Sequence, residues 1–169
     1  TTARVLASNI TVNAAVTQTV IKWAERGVPT SFVDRGGNQW HLERYADTVV
    51  RSTVNNAYNE LRLSRMQEYG VDLVRVNSYS SARPFCSGIQ GRVATLKPQG
   101  YGEYPSVYEH GYGRPDGLRG VNCRHILYPY IEGLNTNNEP PVSQDDANEE
   151  YKKLQKQRQL ERNVKDTKR

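Results

Sequence analysis

Apolar positions recur at helical spacing twice in the first half of the chain. Over residues 4–26, Val5, Leu6, Ile10, Val12, Val16, Val20, Ile21 and Trp23 fall every three or four positions, and Gly27 and Pro29 close the run. The β-branched residues at 10–12 weaken the first half of this predicted helix, because branching at Cβ restricts χ1 there. A Gly36–Gly37 turn follows. From Gln39 to Glu68, Leu42, Tyr45, Ala46, Val49, Val50, Val54, Ala57, Tyr58 and Leu61 make a continuous stripe, with charged and amide side chains on the remaining positions. That pattern predicts one long amphipathic helix, capped by Gly70.

The periodicity then shortens. Val71–Asn77 alternates and is rich in valine, which predicts a strand; 91–96 and 122–127 are two further strand candidates. Between Ser80 and Gly133 the chain is dense in turn residues: nine of its thirteen glycines and five of its eight prolines lie here. Six of its eleven tyrosines fall between Tyr101 and Tyr130. Flexible linkers do not accumulate tyrosine, so the expectation is an ordered module with glycines at special dihedrals and rings packed over them. These elements together predict an α+β fold: long helices on a small sheet, glycine- and tyrosine-rich loops, and a C-terminal helical arm. The expected organisation is an α+β domain over 1–138 with a helical lead-in, then a linker and charged arm over 139–169.

Charge sharpens the picture of that arm. Residues 139–150 carry five acids and no base, and 151–169 carry eight bases and two acids. Acids at a helix start and bases toward its end suit the helix dipole. Sparse anchors at Tyr151, Leu154, Leu160 and Val164, with Arg158 and Arg162 among them, make this the expected partner-binding face. The whole chain of 169 residues has a net charge of +5 and a mean hydropathy of −0.78. No run approaches the roughly 18 apolar residues of a membrane span. A start at Thr1, with no charged-then-apolar leader, is expected of a processed chain or of a portion of a longer one.

Two cysteines exclude a dense disulfide framework. Cys86, Cys123, His125 and, between them, His110 are nevertheless a chemically sensible four-donor set for a structural zinc, although their spacing is not that of a finger. Separate buried thiols and a Cys86–Cys123 disulfide are the alternatives. A thiol nucleophile has no orienting context, since no nucleophile elbow precedes either cysteine. Tyrosines interleaved with Arg114, Arg119 and Arg124, together with the basic arm, leave contact with nucleic acid as a second functional class.

The strings VDLVRVNSYSSARPFCSGIQGRV (71–93) and YPSVYEHGYGRPDGLRGVNCRHILYPYIEG (104–133), followed by KQRQLERNVKDTKR (156–169), resemble the phage minor capsid protein 2 family and, more distantly, the Mu-type minor head proteins. The resemblance spans roughly residues 40–169. It implies a structural protein of a tailed-phage virion without enzymatic activity, located in the phage head and in the host cytoplasm during assembly. It further implies contacts with portal and capsid proteins and with copies of itself, and non-specific contact with packaged DNA through its basic surface. The signature positions it carries over are Arg83, Pro84, Cys86, Gln90, Gly91, Gly117, Gly120, Asn122, Cys123, Arg124 and His125. Tyr79 stands where the family pattern is associated with histidine, which removes one potential ligand.

Overall fold

The computed structural model describes residues 2–140 and 142–167. Pro141 of the expected linker break and the last two bases of the arm, Lys168 and Arg169, lie outside the described residues. The structure is α+β, with helices and a small antiparallel sheet. Contacts divide it into two compact units, residues 1–61 with 121–124, and residues 62–120 with 125–169.

In the first unit the helix expected over 4–26 is two helices, α1 (Thr2–Leu6) and α2 (Val12–Glu25). Ser8 between them has a φ of 58°, a left-handed conformation no α-helix passes through. Thr11 restarts the chain as an N-cap, its hydroxyl accepting from the Ala14 N–H at 3.1 Å. Val5, Ala15, Val50 and Val54 form the core, with Ile10, Val12 and Val16 packed against it. Val50 and Val54 come from α3 (Leu42–Glu68), the long helix expected from the stripe.

Its start is three residues later than the periodicity predicts, because Gln39–His41 is a strand. That strand, β2, pairs antiparallel with β1 (Ser31–Val33), a hairpin the apolar pattern does not reveal in segments of three residues. Phe32 lies opposite Trp40, and the rings of Trp23, Phe32 and Trp40 surround Tyr45 at 5.2–6.1 Å. The turn is fastened by Asp34, whose carboxylate accepts from Gly36 N–H (2.9 Å), Asn38 N–H (2.8 Å) and the Trp40 indole N–H (3.0 Å).

In the second unit α3 ends as the sequence predicts. Gly70 has φ 66°, the Gly70 N–H reaches Gln67 O, and the Val71 N–H reaches Met66 O, which is the Schellman pattern. Strands β3 (Leu73–Val76), β4 (Val93–Thr95) and β5 (Leu127–Tyr130) form a sheet in the order β4-β3-β5, antiparallel throughout. Val74 and Val76 share one face, with Ala94 opposite Val74 and Leu127 opposite Val76, and all four are buried. On the other face the Arg75 guanidinium sits 5.3 Å from the Tyr128 ring centroid and 3.8 Å from Glu139.

The third strand begins at Leu127, so the predicted 122–127 strand is displaced. Arg119 and Asn122 have φ of 62° and 57°, which holds residues before 125 in turns rather than an extended ladder. Pro129 is accommodated because β5 is an edge strand, paired only with β3. Two short helices escape the periodicity altogether, α4 (Pro84–Ser87) and a 3-10 turn at Val107–His110. The last helix, α5 (Gln144–Thr167), starts at Ser143, whose hydroxyl accepts from Asp146 N–H at 3.0 Å. Its Ala147 is fully buried, and the helix is seated against α4. Among the described residues no helix is long and apolar enough to cross a membrane.

The Asp34 turn is sensitive to acid. Its hydrogen bonds, that from Trp40 foremost, hold the carboxyl at about 2 against an ordinary 3.8. A depressed folded-state value means the stabilisation is fully present above pH 3.8 and is lost as pH falls toward 2. Exchange protection at Gly36 and Asn38 and the Trp40 indole resonance should therefore be steady above about pH 4 and decline together as pH falls toward 2.

Candidate functional site

The module between β3 and β5 is built by backbone packed on backbone. Gly117 lies so close to Gly111 that a Cβ on it would overlap the Gly111 carbonyl. A Cβ on Gly120 would overlap the carbonyls of Arg114 and Pro115. Hydrogen bonds run through the same loop: Gly113 N–H to Leu118 O (2.8 Å), Arg114 N–H to Gly111 O (2.9 Å), Gly117 N–H to Arg114 O (3.1 Å), and Leu118 N–H to His110 O (3.3 Å). Leu118 is fully buried at its centre.

Arg83 clamps this loop from the N-cap position of α4. Its guanidinium donates to Gly117 O at 2.9 Å and to Pro115 O at 3.3 Å. Pro84 sits at the first turn of α4, where its missing N–H costs nothing. The signature residues Arg83, Gly117 and Gly120 thus act together in one loop, and Pro84 opens the helix that follows Arg83. Around it the aromatic rings are covered by cations: Arg114 over Phe85 at 5.4 Å, and Arg119 over Tyr112 at 5.4 Å, with an N–H to the Tyr112 hydroxyl at 2.7 Å.

Gln90 and Gly91 anchor the next segment. The Gly91 N–H reaches Val76 O at 2.8 Å with φ 71°. Gln90 is buried; its Oε1 accepts from Tyr79 N–H at 2.8 Å and lies 3.5 Å from His125 Nε2. His125 is 3% exposed, with Tyr79 edge-on to its ring at 5.3 Å. Tyr79, visible in the sequence only as a departure from the family pattern, is therefore a wall of the histidine's pocket. Asn77 fixes the approach, its Oδ1 accepting from Ile126 N–H at 2.7 Å. Sequence reasoning assigns no role to Asn77, Tyr79 or Glu139, which accepts from Ser78 N–H at 3.1 Å. Polar residues at strand ends carry no distinguishing pattern, so nothing points to them.

Of the four predicted metal donors the structure brings three together. One donor atom each from Cys86, Cys123 and His125 lies within 4.8 Å of the others, and all three residues are buried. This cluster could chelate a metal ion. His110 is outside the group, its ring packed against Gly88, where an added Cβ would meet His110 Cε1 at 3.0 Å. No disulfide links Cys86 and Cys123, both of which are thiols. Cys123 is held by its own carbonyl, which accepts from Asn55 Nδ2 at 2.9 Å, and the neighbouring Asn122 N–H donates to Ser52 Oγ at 3.0 Å. Arg124 is exposed between the two buried donors.

Of the six residues expected to bind a partner, Tyr151, Leu154, Arg158 and Arg162 form a half-buried stripe along α5. Leu160 and Val164 are on another side, 56% and 52% exposed.

The whole chain, residues 1–169, matches the family described as "Phage minor capsid protein 2", which extends the resemblance across the N-terminal helices as well. The chain belongs to the phage minor capsid protein 2 family. A "Structural protein" of Lactococcus phage LL-H is 36% identical over 154 residues, 89% of this chain and 42% of that relative. A "Structural protein" of Lactococcus phage mv4 is 42% identical over 62 residues, 37% of this chain and 50% of that relative. The chain thus spans at most half the length of these relatives. No solved structure matches it. Membership of the minor capsid protein 2 family gives the chain a structural, capsid-associated role in a phage, and the relatives' names are consistent with a non-enzymatic one.

The crowding at Gly117 is testable against a glycine that has only its dihedral to lose. Gly117→Ala must displace backbone and should cost about 3 kcal/mol, lowering the thermal midpoint by roughly 6–12 °C. Gly113 has φ 79° but open space around it, so Gly113→Ala should cost only about 1–2 kcal/mol. Equal midpoints for the two variants would show that close backbone approach is not what holds the loop.

Proposed function

We propose that this minor capsid chain is a head component of a tailed phage that docks on the portal and on neighbouring head proteins. The observation that carries this reading is the full-length family match, joined to a terminal helix that offers a charged and apolar surface to solvent. The 24 residues of α5 reach about 36 Å. Its first turns are seated on α4, and its later turns present Leu160 and Val164 among Lys153, Lys156 and Gln157. The part of the helix from Tyr151 onward is basic, and with two apolar anchors it fits an acidic protein surface: charge selects the partner and the register, and desolvation of the leucine and valine supplies affinity. The location in this reading is the phage head, with assembly in the host cytoplasm. The Arg83–Gly117 loop would be the rigid platform from which the helix is displayed.

The lysines and arginines of α5 also favour a secondary role, non-sequence-specific contact with packaged DNA. Such contact would weaken steeply with added salt, because its free energy comes from counterion release.

The docking reading is tested in particles. A phage carrying Leu160→Asp and Val164→Asp together should incorporate this protein into heads at least about tenfold less than wild type, since burying each side chain contributes about 1.5–3 kcal/mol. Thermal midpoint of the variant chain should be unchanged, because both positions are exposed. Wild-type incorporation would remove α5 from the portal or head interface, and incorporation that falls only at high salt would transfer its role to DNA.

A further inference from the structure

We infer that the acidic, apolar surface at the end of β5 receives α5 of a second copy of this chain, in a head-to-tail contact. This rests on the reading above that the exposed face of α5 docks, and it names what that face docks on. Both surfaces belong to the second compact unit.

Charge is the first argument. From Ile126 to Glu150 the chain has six acids and no base, and from Tyr151 onward it has eight bases and two acids. The helix dipole accounts for the acids in the first turns of α5. It does not account for Glu132, which lies in the turn directly after β5 and well before α5 begins.

That turn is tied and apolar. The Leu134 and Asn135 N–H groups both donate to Ile131 O, at 3.1 and 3.0 Å, and Asn135 Oδ1 accepts from the Ile131 N–H at 2.8 Å. Leu134 is left 74% exposed and Ile131 44%. One exposed leucine is ordinary on a protein surface, but this pair continues into a set of rings. The Tyr130 ring lies 6.4 Å from that of Tyr104, which exchanges both backbone hydrogen bonds with the exposed Tyr101. Two carboxylates border the rings. The Tyr104 hydroxyl is pushed above its ordinary 10.0 by desolvation and then by the charge of Glu132, with Tyr130 and Glu103 adding to it. Lys97, 4.8 Å from the Tyr101 ring centroid, is paired with Asp72 at 2.9 Å, so its charge is already balanced.

The matching surface is on α5. Leu160 and Val164, four positions apart, share a helix face among Lys153, Lys156 and Gln157. Two apolar anchors set in positive charge thus meet two set in negative charge; burial supplies affinity and charge supplies register. Within one chain the two surfaces leave each other exposed, and α5 is continuous from Ala147 to Val164, with no joint at which to fold back. Another copy can supply the missing half. Because the two surfaces differ, the contact is heterologous: each copy offers one of each, so copies link head to tail and close into a ring where the rotation permits.

The test uses the full chain and light scattering at low salt. Wild type should associate beyond a dimer, and added salt should weaken it. Leu134→Asp spoils the turn, and Leu160→Asp with Val164→Asp spoils the helix. Each variant alone should be monomeric where wild type associates, its affinity at least about tenfold lower. Mixed one to one, the two should form a dimer and nothing larger, since one intact turn then meets one intact helix. Glu132→Lys keeps Leu134 and should also weaken association, most at low salt. Thermal midpoints should stay at the wild-type value, because the three apolar positions are exposed. A wild-type chain that remains monomeric overturns the contact between copies and leaves docking on the portal standing. Wild-type association in both Leu134→Asp and Glu132→Lys overturns the turn as receiver. Spoiled variants that stay apart when mixed overturn the head-to-tail geometry. The docking reading itself falls by a separate measurement, wild-type incorporation of the Leu160 and Val164 variant into heads.

Discussion

Backbone pressed against backbone is the constraint on which the second half of the molecule depends. The Gly111 carbonyl occupies the space that any side chain on Gly117 would need, and the Arg114 and Pro115 carbonyls do the same to Gly120. The carbonyls of Pro115 and Gly117 in that loop also receive the Arg83 guanidinium. Two guanidinium nitrogens set apart in a plane reach the two oxygens at once, a geometry that the single nitrogen of lysine does not offer. Because Arg83 is also the residue that opens α4, the loop and the helix carrying Cys86 are positioned by one side chain. The conformational entropy of so glycine-rich a loop is opposed by hydrogen bonds that a side chain on Gly117 or Gly120 would disrupt.

Long elements are visible in the sequence and short ones are concealed. The stripe from Leu42 onward is legible because apolar residues sustained at a period of 3.6 over about seven turns mark a helix with one buried face, and Gly70 marks its end. Alternation around Val74 and Val76 is legible for the same kind of reason. The break at Ser8 is not, since the residues on either side keep helical spacing and only a single left-handed dihedral interrupts them. Nor is the Ser31–His41 hairpin, whose three-residue strands are too short to alternate measurably and owe their pairing to Asp34. The displaced third strand follows from Arg119 and Asn122: neither residue type announces a positive φ as a glycine would.

The candidate site is partly legible. Cys86, Cys123 and His125 stand out as donor types, and their convergence is a property of the fold that spacing alone could not give, with 36 residues between the two cysteine positions. His110 has equal chemical standing in the sequence and is excluded only by where its ring packs. Gln90 belongs to the signature without a stated reason; its amide now has one, as the group between Tyr79 and His125.

The sheet has an edge that is closed in an unobtrusive way. Pro129 sits in β5 opposite Val74, and β5 has no neighbour on its far side. With the proline nitrogen lacking a hydrogen, that outer row is short of a donor at its midpoint. At the opposite margin, the Thr95 N–H is taken by Pro105 O. An outer row interrupted at one margin and occupied at the other leaves this sheet no continuous ladder on which a further strand could grow into a fibre.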